Sequence, residues 1–135
     1  MILSCGMVIH SAQAQKTHER SILVLSANFN SVTDKNVNCN EFVNSLNSQL
    51  KMTKVISSDS LQLLEICLKK MKWSEEKKEL NVRAKFLYMN SDQKDVVICM
   101  DNEEIMVDGK LIERDPQIIS FFKSMVPKDQ LAKGK

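Results

Sequence analysis

Residues 80–88 read LNVRAKFLY and residues 96–113 read VVICMDNEEIMVDGKLIE. In the first stretch Leu80, Val82, Ala84, Phe86 and Tyr88 alternate with Asn81, Arg83 and Lys85. That period of two is the pattern of a strand with one face buried and one face wet. Asn90-Ser91-Asp92 supplies a turn into a second strand over Val96–Met100, and Asp101-Asn102-Glu103-Glu104 turns the chain into Ile105–Val107. Asp108-Gly109 is a two-residue hairpin signal, because both central positions of the favoured turn need positive φ; it leads into Lys110–Glu113. Strands joined by turns this tight form an antiparallel meander over about residues 80–113.

Outward from the meander, Ser21–Ala27 (SILVLSA) reads as an N-terminal strand, and the Asn-rich residues 28–40 as a loop in which Val37 and Cys39 pair briefly. Phe42, Val43, Leu46 and Leu50 then share one face of a helix over 41–50, with Asn40 as its N-cap. Met52–Ile56 reads as a short strand. Ser57-Ser58-Asp59-Ser60 opens a long helix over 59–73 whose apolar arc takes in Leu61, Leu63, Leu64, Ile66, Cys67, Leu68, Met71 and Trp73. Glu75-Glu76-Lys77-Lys78-Glu79 mixes both signs and reads as a solvated linker. After the meander, Asp115 as N-cap and Pro116 in the first turn start a helix over 116–126, which Pro127 ends. Residues 128–135 read as a frayed tail. The expectation is a single α+β domain over 21–127, with the helices packed on one face of the antiparallel sheet.

The first residues, MILSCGMVIHSAQAQ, are read as a leader rather than as fold. An apolar run from Ile2 to Ile9 precedes Ala12-Gln13-Ala14, and small side chains at the last and third-last positions suit the shallow subsites of signal peptidase. Cleavage after Ala14 is expected, leaving residues 15–20 as a flexible start and the protein secreted or periplasmic. Ile2-Leu3-Ser4-Cys5-Gly6 resembles a lipobox, so lipid anchoring at Cys5 is the lesser alternative. No later stretch reaches the length of apolar chain that spans a bilayer.

Composition narrows the chemistry. Nineteen basic and seventeen acidic residues are interspersed along 135 positions, which gives no electrostatic reason to expect nucleic acid. Three glycines, at 6, 109 and 134, cannot build a phosphate-cradling loop. After leader removal His18 is the single histidine, too few for a Ser-His-Asp or Cys-His site, and Cys39, Cys67 and Cys99 lie on separate elements without the local pairing of a zinc site. Asp101, Glu103, Glu104 and Asp108 cluster, but apolar Ile105–Val107 stands where further calcium ligands would fall. No catalytic residue, metal site, cofactor or small-molecule site is expected.

Three cysteines in the mature chain allow one bridge and one buried thiol. Cys67, on the buried side of its helix, and Cys99, on the sheet beneath it, are expected to be close, either bridged or as packed thiols. Cys39 is the one cysteine outside a clear core stripe, and so the nucleophile of any thiol-enzyme reading. On the long helix more apolar surface is present than the sheet can cover, even with help from Phe42, Leu46 and Leu50. The leftover strip, holding Ile66 and Trp73 with Lys70 at its edge, is the expected contact site for a foreign protein or a second copy.

Cys39 before the first helix, Ile56-Ser57-Ser58-Asp59, Val82-Arg83, Val97-Ile98-Cys99-Met100-Asp101 and Val107-Asp108-Gly109-Lys110 together resemble a pattern of small exported proteins of Bacteroidetes without assigned function. The resemblance covers about residues 36–126 and implies export and fold, with Arg83 pairing a carboxylate across the sheet. The expected function is a non-enzymatic binding or accessory module of the cell envelope, in a more specific version an inhibitor or antagonist of another exported protein that presents the Asp108-Gly109 hairpin.

Overall fold

A computed structural model of the chain describes residues 20–89 and 93–131. The proposed leader, and most of the flexible start that follows it, lie outside those residues. The fold is α+β: one open antiparallel sheet of six strands with four helices. The strands are β1 (Ile22–Ser26), β2 (Lys51–Val55), β3 (Ala84–Met89), β4 (Asp95–Met100), β5 (Ile105–Val107) and β6 (Lys110–Leu111), arranged in space as β2-β1-β3-β4-β5-β6. The meander β3 to β6 runs in sequence order, and β1 inserts between β2 and β3. The β5–β6 turn has the expected chemistry, with φ of 49° at Asp108 and 85° at Gly109. A Cβ on Gly109 would meet nothing within 4 Å, so glycine is favoured there by the backbone angle and not by space.

Alternation along the strands sorts the core into two layers. Ile22, Val24, Ala84, Phe86, Tyr88, Val96, Ile98, Met100, Ile105 and Val107 face one side, where α2 (Ser58–Lys70) and α3 (Pro116–Ser124) cover them. Leu61 and Leu64 of α2 and Ile118 and Phe122 of α3 enter this layer, and Phe86 meets Phe122 edge to face at 5.0 Å. Leu25, Val97, Cys99 and Met106 face the other side. There Ala27, Val37, Phe42, Leu46, Leu80 and Val82 form a second, smaller core. The expectation of helices on one face is thus corrected: α1 (Phe42–Ser45) packs across the sheet from α2, and cannot cover any of it.

Local chemistry explains where the helices stop. Asn-Ser-rich sequence holds α1 to one turn, continued by a 3-10 turn over Asn47–Gln49. Glu41, not Asn40, takes the N-cap position, and the Asn38 side-chain oxygen accepts from the Glu41 N–H at 2.8 Å. Ser57 caps α2, accepting from the Ser60 N–H, and Asp115 caps α3, accepting from Gln117 and Ile118. The expected reach of α2 to residue 73 fails because the chain after Met71 is extended and pairs with the far edge of the sheet. The Ser74 N–H donates to the Leu111 carbonyl, the Glu113 N–H donates to the Lys72 carbonyl, and Trp73 bridges Ile112. Strand pairing wins over helix propensity.

Two further expectations need correction. The alternation from Leu80 to Tyr88 does not lie on one face: Val82, Arg83 and Ala84 are buried in succession, and the chain passes from the second core (Leu80, Val82) to the first (Ala84 onward). Residues 128–131 are not frayed but form α4 (Lys128–Leu131). The Gln130 side chain donates to the Ser26 carbonyl at 2.8 Å, its own carbonyl accepts from Phe29, and Asp129 forms an ion pair with Lys51. The segment thereby closes one end of β1.

Candidate functional site

Cys99 sits on the odd-numbered face of β4 with Val97, and its partner is Cys39, at a Cα separation of 5.9 Å. Cys67 is a free, half-buried thiol that packs against the opposite layer. The expected closeness of Cys67 and Cys99 is therefore wrong, and the reason is strand parity: the side chains that face α2 from β4 are Val96, Ile98 and Met100. Burial pushes the Cys67 thiol pKa up, with nearby Lys70 acting against it. Cys39, the candidate nucleophile, is consumed by the bridge.

The expected contact residues separate into two places. Ile66 and Lys70 lie on the outer side of α2, where Leu63 and Ile66 are each about half exposed (49% and 51%) among Asp59, Gln62 and Lys69. Trp73 is also exposed, at 55%, but the end of α2 carries it away to the β6 edge, where the Lys110 ammonium stands 5.7 Å from its ring. Ile66 and Trp73 are thus both at the surface and not parts of one helical stripe. Trp73 instead borders an open groove of about 750 Å³ whose floor is Met106 and Leu111 and whose wall is the charged linker. Lys78 ties that linker down through Glu104, at 3.0 Å, and Arg114 holds the same carboxylate at 2.7 Å. Burial of the Glu104 carboxyl acts to raise its pKa, but the hydrogen bonds from Arg114 and Lys78 outweigh it and the pKa lies below the ordinary value.

Arg83 is nearly fully buried (3% exposed), and its partners are neutral. Its guanidinium donates to the Val82 carbonyl (2.8 Å), the Ser31 carbonyl (3.1 Å), the Asn81 side chain (3.1 Å) and the Thr33 hydroxyl (3.3 Å). Among the described residues no carboxylate comes within ion-pair distance of it, so the implied cross-sheet pairing is replaced by a tether for the 31–33 loop. With most of its donors occupied by neutral oxygens, Arg83 orders backbone rather than receiving an anion. A second polar cluster sits over α2: the Tyr88 hydroxyl donates to Glu65, and Arg20 donates to both Tyr88 (3.1 Å) and Glu65 (3.2 Å). Burial, and then the Glu65 carboxylate, push the Tyr88 pKa up to about 12.

Among the described residues no group of three or more His, Cys, Asp or Glu side chains could hold a metal ion, and no helix is long and apolar enough to cross a membrane. No family model, no curated protein and no solved structure matches the chain.

One apolar surface was missed by the sequence reading. Leu23 and Leu87, both half-buried, are paired across β1 and β3 on the second face of the sheet, outside the two buried clusters. The alternating pattern of both strands carries that information, but one-sided covering of the sheet was assumed. Met52 is 70% exposed and Met89 46% exposed on the same face, beside half-buried Val97.

Proposed function

We propose that this protein is an exported, non-enzymatic binding module of the cell envelope that engages another exported protein through the outer side of α2. The carrying observation is the pair Leu63 and Ile66, about half exposed on a helix whose other side is locked into the core by Leu61 and Leu64. A rigid, backed helix that presents two aliphatic side chains within a charged rim is the arrangement of a helix-mediated contact. The Cys39–Cys99 bridge supports export, because such bonds persist in oxidising compartments, and it withdraws the thiol on which an enzymatic reading depended. The inhibitor version would use the exposed Asp108-Gly109-Lys110 tip of the β5–β6 hairpin instead.

A photo-crosslinking residue at position 66, in protein expressed in the natural host, tests the proposal. A product of one defined mass from the envelope fraction, competed away by unlabelled protein and not by the Ile66→Glu variant, is the expected result. Products that arise equally from positions 66 and 120, an exposed site on α3, would refute a specific contact there. N-terminal sequencing of the same material should begin at Gln15; an intact Met1 would end the export reading.

A further inference from the structure

We propose that the outer side of α2 docks antiparallel on the same helix of a second copy of this chain. The inference rests on the reading of that helix as a contact surface, and it names the occupant.

Spacing sets the contact stripe. Asp59, Leu63, Ile66 and Lys70 stand four, three and four residues apart, so they fall within about 60° of arc on a helix of 3.6 residues per turn. That alternation is the seam of a coiled coil, in which each side chain enters a hole on a facing helix. All four residues are exposed, with Leu63 at 49% and Ile66 at 51%, while Leu61 and Leu64 hold the opposite side of α2 in the core. From the start of the helix to its end the stripe reads acidic, aliphatic, aliphatic, basic. Among the described residues neither Asp59 nor Lys70 has an ion-pair partner.

Charge and symmetry select the occupant. The midpoint between Leu63 and Ile66 along the chain is also the midpoint between Asp59 and Lys70. A two-fold axis through that point, perpendicular to α2, sets Leu63 against Ile66 of the facing copy and Asp59 against Lys70, each twice. Helix axes packed about 8–10 Å apart bring these side chains into contact. One patch complementary to itself is what an isologous dimer requires. Parallel pairing would instead bring Asp59 to Asp59 and Lys70 to Lys70, and would set like ends of two helix dipoles together.

The rest of the fold leaves the approach open. The stripe faces away from the sheet, and the 28–50 segment packs on the opposite sheet face, outside the contact. On α3, which shares a layer with α2, the exposed side chains of Gln117, Ser120 and Ser124 are uncharged and add no repulsion. A helix of 13 residues is about 20 Å long, so the contact is small and belongs to the weak, transient end of interfaces.

Sedimentation velocity on the protein as its host processes it, at up to about 500 µM, reads the association; a contact of this size gives a dissociation constant of about 10–100 µM. Wild type should pass from monomer to dimer within that range. Carbodiimide, which condenses a carboxylate with an ammonium in contact, should join Asp59 to Lys70 in a product of twice the chain mass. Within one copy these residues are about 16 Å apart along the helix, beyond the reach of that reagent. Ile66→Glu should remain monomeric while keeping its circular dichroism spectrum. Asp59→Lys and Lys70→Asp should each weaken the dimer about tenfold. An equimolar mixture of those two variants should recover it, because one copy then carries lysine at both ends of the stripe and the other aspartate. If Ile66→Glu does not fold, the mixture still decides. A wild type that stays monomeric at the highest concentration, a dimer indifferent to Ile66→Glu, a dimer product without the 59–70 link, or charge variants that do not recover on mixing, overturns the proposal. Monomeric wild type with a position-66 crosslink to a different protein removes the dimer alone and leaves the binding-module reading standing. Equal products from positions 66 and 120 end both.

Discussion

Removing the Cys39–Cys99 bridge should cost this protein a large fraction of its stability. The bond joins residues 60 apart in sequence, and it ties the Asn-rich 28–40 segment to the C-terminal end of β4. Closing a loop of that length removes about 14 cal/mol/K from the unfolded chain in the loop-entropy treatment, or about 4 kcal/mol at about 25 °C. Domains of this size are stable by about 5–15 kcal/mol, so the bridge is worth a quarter or more of the total. The clean perturbation is the double variant Cys39→Ala, Cys99→Ala, since alanine leaves no polar group at the fully buried position 99. Urea titration followed by circular dichroism should show a loss of about 3–5 kcal/mol, with a fall in melting temperature of about 10–20 °C. Wild type in reducing agent should match the double variant, and reducing agent should have no effect on that variant. Thiol titration of denatured protein that begins at Gln15 should find one free thiol before reduction, Cys67, and three after it. A loss below about 1 kcal/mol, or a bridge that engages Cys67, would refute the assignment of the 28–50 segment to the second face.

Three further outcomes follow from the packing and the polar clusters. Tyr88 is the chain's single tyrosine, so absorbance at alkaline pH reads it alone; its phenol should ionise near pH 12 instead of 10, and because the folded pKa is the raised one, its stabilising contribution should be intact below pH 10 and fade as pH climbs toward 12. Leu64→Ala should destabilise by about 2–5 kcal/mol in urea titration, whereas Leu63→Ala, one residue along the same helix, should change stability by under about 0.5 kcal/mol, because only the first side chain is fully buried. Glu104 has a depressed carboxyl pKa, so its contribution is present above pH 4.5 and is lost as pH falls below that value; Glu104→Gln should flatten the acid side of the stability-versus-pH curve and speed hydrogen exchange at residues 75–79, and an unchanged acid limb would argue against the Lys78–Glu104–Arg114 latch.

Most of the fold was legible because strands and caps are local. Period-two alternation marked β3, the Asp108-Gly109 pair marked the β5–β6 turn, and Ser57 and Asp115–Pro116 marked two helix starts. What failed was decided by partners distant in sequence. The end of α2 depends on residues 111–113 offering a strand edge to Lys72–Ser74, which no window around residue 70 contains. The burial of three consecutive residues at Val82–Ala84 depends on Val37, whose carbonyl accepts from the Val82 N–H, and on Met100, whose carbonyl accepts from the Arg83 N–H. The docking of α4 depends on Ser26 and Phe29, about a hundred residues earlier, each joined to Gln130.

The cysteine pairing and the placement of Leu23 and Leu87 turn on one common step, counting parity along β4. Val96, Ile98 and Met100 point to the layer that α2 and α3 fill, so Val97 and Cys99 must point away from it. That alone separates Cys99 from Cys67 and makes Cys39, in the loop that crosses the second face, the cysteine within reach. The same parity places Leu23 and Leu87 on the second face, because β1 and β3 are registered with β4 through Val24, Phe86 and Ile98 on the first. The loop that the disulfide anchors packs over the row through Cys99, with Phe42 and Leu46 beside it in the second core. Leu23 and Leu87 are half-buried on that face, outside the second core that the bridge helps to hold. Variants that free the 28–50 segment should for that reason loosen the second core and leave the first intact: in the Cys39→Ala, Cys99→Ala protein at low temperature, where it stays folded, amide exchange should speed up around Val37, Phe42 and Val82 and stay slow at Phe86 and Ile98.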